Sequence, residues 1–115
     1  MTEDRTDSRE VYVRRVLEAY RVTPGTTGQV RREDRRLAGQ LYEQRVQLPT
    51  VENALVLAAA RRLLRPPGAA VLTTIRSLHY FLPVIAEVAE LAVGEHYFRY
   101  LRGKVERLLR GSQGI

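Results

Sequence analysis

Between Arg61 and Arg110 the chain carries nine basic residues against four carboxylates. Arg61, Arg62, Arg65 and Arg76 come first, with no acid among them; Arg99, Arg102, Lys104, Arg107 and Arg110 follow with Glu106 alone. Eighteen of the nineteen basic residues in the sequence are Arg, the side chain that grips phosphate bidentately and stacks on flat rings. Aromatic residues interleave with them, and Tyr80, Phe98 and Tyr100 are candidate stacking platforms for bases. The chemistry these types suit is contact with a phosphate backbone. Each such contact steepens the salt dependence of binding. Because phosphate contacts position without reading bases, sequence discrimination should be poor.

Other chemistry is not expected. There is no cysteine, so neither a disulfide nor a thiolate metal site can form, as suits a reducing cytoplasm. His79 and His96 stand alone, without a partner at metal-ligand spacing. On a helix, Ser77 and His79 would diverge and not pair as nucleophile and base, which leaves His79 as an interior or edge histidine. Gly25 and Gly28 lack the Gly-Lys-Ser/Thr of a phosphate loop. The expectation is therefore a protein that is not an enzyme and needs no metal or cofactor. A net charge of +6 points to a polyanionic partner, DNA or RNA. A GC-rich genome would explain Arg over Lys, but not six more cations than anions. The N-terminus has no apolar core of a signal peptide, and apolar runs break before about 18 residues, so no membrane span is expected.

The elements that would hold these residues are helices. Asp7 and Glu10 can cap a first helix after a tail over residues 1–7, and Val11, Val13, Val16, Leu17 and Tyr20 mark its inner face to about Arg21. A loop containing Pro24-Gly25 and Gly28 precedes a second helix over about 32–44, with Leu37, Ala38, Leu41 and Tyr42 inward and Glu33 and Asp34 suiting its dipole. Pro49 opens a third helix to about Arg65, whose apolar face includes Val51, Ala54, Leu55, Ala58, Ala59 and Leu63, widened by Leu57. Pro66-Pro67-Gly68 ends it. A fourth helix is expected from Thr73 or Thr74 to Leu91, kinked or split at Pro83. A fifth follows over about 95–110, with Tyr97, Tyr100 or Leu101, Val105 and Leu108 as its seam and a frayed tail over 111–115. The expected fold class is all-α: a compact bundle of about five helices in a single domain over 8–110, with a candidate helix-turn-helix corner and a Pro-kinked fourth helix.

Two patterns bear on function. The helices joined by Arg45-Val46-Gln47-Leu48 could form a helix-turn-helix, with Thr50, Asn53 and Arg61 facing a groove; Arg45 stands where that turn commonly has Gly. Val51-Glu52-Asn53-Ala54-Leu55, Ala58-Ala59-Ala60, and Tyr80, Val84 and Val88 at four-residue spacing form the second pattern. Across about residues 31–88 the chain resembles the C-terminal domain of DnaD-type primosome and phage replisome-organiser proteins. In that family an Ala-rich helix leads to a helix with Tyr-x-x-x-Ile-x-x-x-Trp. Val88 replaces the family's aromatic residue, and Pro83 lies inside the motif. The resemblance implies an accessory replication role, binding DNA and loading other proteins. A second expectation is a homo-oligomer or protein-interaction subunit, since six Tyr and two Phe could leave an exposed aromatic patch. The basic last helix could also lie on an anionic membrane, but so small a core needs its apolar residues, and no membrane partner is expected.

Overall fold

A computed structural model describes residues 3–91 and 105–108. Within them the chain forms α1 (Glu3–Val22), α2 (Arg32–Glu43) and α3 (Leu48–Leu63). A 3-10 turn (Leu78–Phe81) then runs directly into α4 (82–91), and 105–108 is also helical. Among the described residues the β structure is one isolated parallel bridge between Thr26 and Ile75. The all-α expectation holds.

Val13, Val16, Leu17 and Tyr20 follow helical spacing and are buried with Tyr12. Val11, expected on the same face, is exposed. α1 also starts earlier than the pattern suggests. The stretch ahead of Asp7 contains neither Gly nor Pro, so nothing stops the helix from extending back to Glu3. α1 lies against both α2 and α3. Its Tyr12 hydroxyl donates to the Val46 carbonyl at 2.7 Å, pinning the α2–α3 turn. Val16, Tyr20, Val51, Leu78 and Phe81 are sealed from solvent at the centre, each contributing roughly 1.5–3 kcal/mol by burial. Tyr20 meets Phe81 edge-on at 6.1 Å.

α2 ends in a Schellman turn. The Arg45 N–H donates to the Tyr42 carbonyl and the Val46 N–H to that of Leu41, both at 3.0 Å. This geometry needs a left-handed residue, and Arg45 supplies it at φ 62°, where Gly would carry no steric cost. Pro49 sits in the first turn of α3, as expected. α3 stops at Leu63, two residues early, and Leu63 itself is exposed because the last turn runs past the core. Pro66-Pro67-Gly68-Ala69 closes as a type II turn, with Gly68 at φ 85° and the Ala69 N–H donating to the Pro66 carbonyl.

The fourth helix does not begin at Thr73. Residues 69–77 are non-helical, and Val71-Leu72-Thr73-Thr74-Ile75 is rich in β-branched residues that favour extended backbone. Ile75 is buried by pairing with the loop after α1: its N–H donates to the Gly25 carbonyl at 2.7 Å, and its carbonyl accepts from Thr27 at 3.1 Å. Pro83 consequently falls in the first turn of α4, where its missing N–H costs nothing. It starts a helix and kinks none. The expected tail over 111–115 lies outside the described residues. So does most of the fifth helix, whose 105–108 portion is helical.

Candidate nucleic-acid interface

The last turn of α3 presents Arg61 and Arg62, Arg65 follows just past its end, and the 3-10 turn presents Tyr80 opposite them. Together with Ala58, Leu72 and Val84, these four side chains line one open groove of about 330 Å³. Four residues singled out from sequence are thus brought to a single place. Tyr80 is 48% exposed, while its neighbour Phe81 is fully buried and meets it edge-on at 5.1 Å. That contact holds the Tyr80 ring at the surface. Val84 and Val88, four and eight residues on, are partly buried against the core. The four-residue repeat therefore splits: Val88 packs inward from α4, Val84 packs against the core and also borders the groove, and Tyr80 faces the groove from the turn before it.

The arginines of this groove are engaged to different degrees. Arg61 forms a fork with Glu87, one arm at 2.8 Å. That pair raises the Arg61 pKa and holds the Glu87 carboxyl below its ordinary value through the shared hydrogen bonds. Arg62 donates to the Thr73 carbonyl at 2.8 Å and to the Tyr80 hydroxyl at 3.2 Å, with its guanidinium 5.7 Å from the Tyr80 ring centre. Its Nε lies 3.0 Å from where a Cβ on Gly25 would be. At φ 94° the Gly25 backbone favours glycine, and an added Cβ would also press on the Arg62 side chain. Arg62 thus staples the end of α3 to the extended 70s segment and packs beside Gly25 of the loop after α1. Arg65 donates to the Ala70 carbonyl. A guanidinium has five N–H donors, so Arg62 and Arg65 keep several for an external anion, and phosphate can compete with Glu87 for Arg61.

Arg76 is exposed and lines none of these contacts. Arg107 is exposed within the 105–108 helix. Arg99, Arg102, Lys104 and Arg110, with the stacking candidates Phe98 and Tyr100, lie outside the described residues. At the α2–α3 corner Asn53 is exposed and Thr50 half-buried, but Arg61 is turned to Glu87 on α4.

Two local arrangements escape the sequence pattern. Asp34, expected merely to suit a dipole, is completely buried. Its carboxylate accepts from the Arg31 N–H at 2.9 Å and the Leu78 N–H at 2.8 Å, and lies 3.4 Å from Ser77 Oγ, tying α2 to the 3-10 turn. Ser77 and His79 do not diverge. Because Ser77 is an extended cap and not a helical residue, its Oγ comes within 3.0 Å of His79 Nδ1. The hydroxyl stands between carboxylate and imidazole, the reverse of a relay that places the imidazole in the middle. It also accepts the His79 N–H at 3.1 Å, which makes it the cap of the turn.

Among the described residues no group of three His, Asp or Glu side chains could hold a metal ion, and no helix is long and apolar enough to cross a membrane. No known protein family, curated protein or solved structure matches the chain.

Proposed function

We propose that this protein is a small nucleic-acid-binding accessory module, without catalytic activity, that holds DNA or RNA mainly by Arg–phosphate contact within a nucleoprotein assembly. One observation carries the reading: Arg61, Arg62, Arg65 and the half-exposed Tyr80 line the same groove. Guanidinium groups beside an exposed ring suit a phosphate next to an unpaired base. An accessory role in replication, as the DnaD-type resemblance implies, is compatible with such a surface.

The test is fluorescence anisotropy of labelled single-stranded DNA, duplex DNA and RNA at about 50 and 200 mM salt. The proposal expects binding that weakens by orders of magnitude with salt. It also expects a loss on Arg61→Gln with Arg65→Gln, and a further loss on Tyr80→Leu confined to single strands. Arg62 is left intact because it staples the fold. Absence of binding to all three probes at low salt would refute the reading.

A protein-assembly role is favoured by a separate observation. Leu63 and Val71 line one open groove at the end of α3 and are exposed, at 73% and 96%. Mass that rises with concentration, without nucleic-acid affinity, would support that reading.

A further inference from the structure

Six further arginines lie on the middle of α1 and the head of α2: Arg14, Arg15, Arg31, Arg32, Arg35 and Arg36. All are exposed. None of these guanidinium groups has an ion-pair partner among the described residues, whereas Arg9, Arg21 and Arg61 are paired with Glu43, Glu18 and Glu87. Arg14 and Arg35 border an open groove of about 530 Å³ between the two helices, floored by Val13, Leu17 and Val30. Two carboxylates share its rim. Glu18 is already gripped by Arg21 through bonds of 2.6 and 3.0 Å, which leaves Glu10.

The placement of Arg31, Arg32, Arg35 and Arg36 works against the helix that carries them. Positive charge at the head of α2 opposes its dipole. Arg31 with Arg35, and Arg32 with Arg36, set like charges one turn apart. Asp34 offsets part of this from beneath, but it is buried and spent on backbone N–H groups. Glu33 is the one exposed acid in the run. Such a concentration of cations is relieved when an anion from outside sits over it.

The geometry points to a second phosphate-binding surface, built from Arg14, Arg31, Arg32, Arg35 and Arg36, whose ligand is the sugar-phosphate backbone of duplex nucleic acid. The ligand class rests on the proposed function, while the surface shares no residue with the Arg61–Tyr80 groove. No aromatic side chain lines the groove that Arg14 and Arg35 border. It therefore offers charge without a stacking platform, and suits a duplex with its bases turned inward more than a single strand.

The experiment titrates labelled duplexes of two unrelated sequences with the full chain and with a variant carrying Arg32→Gln, Arg35→Gln and Arg36→Gln, across about 50 to 200 mM salt. Loss of three phosphate contacts lowers the slope of log K against log salt by about 2 to 3 and weakens low-salt binding at least about tenfold, equally for both sequences. The melting midpoint of the variant stays level or rises, since like charges are removed. A triple variant that binds with wild-type affinity and slope overturns the surface. Should that variant melt early, Arg35→Glu alone decides: weakened binding at an unchanged melting point supports the surface, and wild-type affinity overturns it. The two proposals fail differently. A wild-type chain that binds nothing sinks both, whereas binding that Arg61→Gln with Arg65→Gln abolishes and the triple variant leaves intact sinks this one alone.

Discussion

Replacing Asp34 tests the most consequential polar contact in the fold. Its carboxylate is fully buried and receives the Arg31 and Leu78 N–H groups on different oxygens, at 2.9 and 2.8 Å. Asp34→Ala leaves the buried Leu78 N–H without an acceptor, which costs about 1–3 kcal/mol. It also strips the Arg31 N–H, which lies nearer solvent, of a bond worth about 1 kcal/mol. A total loss of about 2–4 kcal/mol follows, out of the roughly 5–15 kcal/mol that holds a domain together. Asp34→Asn preserves shape but can offer an oxygen to just one of the two donors, so its loss should be about 1–2 kcal/mol. Urea and thermal unfolding followed by far-UV circular dichroism measures both, at about 4 °C of melting temperature per kcal/mol for a chain of this size. A loss below about 1 kcal/mol for Asp34→Ala would refute the bridging role. Equal losses for Ala and Asn would show that the two oxygens do not divide the work.

Arg45→Gly should stabilise the chain by up to about 1 kcal/mol, because the left-handed conformation at φ 62° strains any residue with a Cβ; a lowered urea midpoint would count against the Schellman turn. Tyr20→Phe should be neutral or stabilising by about 1 kcal/mol, since the buried Tyr20 hydroxyl has no hydrogen-bond partner among the described residues. A loss above about 1 kcal/mol would mean that the hydroxyl has a partner. Alkaline pH should destabilise the fold. Burial pushes the Tyr12 phenol up to about 12 from an ordinary 10.0, and burial raises Tyr20 as well. The folded state favours the protonated phenol, so this contribution is whole below pH 10. It is lost as pH rises towards 12, by about 2–3 kcal/mol for Tyr12. Urea midpoints measured between pH 9 and 12 would show the decline, and Tyr12→Phe should remove the Tyr12 share of it.

The sequence by itself determined what is local. Apolar spacing placed α2 and α3 to within two residues, and Pro49 and Pro66-Pro67-Gly68 marked a start and a stop that backbone stereochemistry enforces on any chain. The clustering of Arg61, Arg62 and Arg65 was equally visible. Tertiary structure alone decided what each charged group meets. Asp34 reaches Leu78 across 44 positions and Arg61 reaches Glu87 across 26, and no window of helical periodicity contains such pairs. The extended stretch over 73–77 is also a tertiary outcome. Its β-branched residues leave helix and strand close in energy, and pairing of Ile75 with Gly25 and Thr27 tips the balance. Once that segment is extended, Ser77 becomes a cap beside His79, Pro83 becomes a helix start, and Tyr80 is carried to the arginines of α3. Charge and period are properties of short segments, but partnership depends on where distant segments come to rest.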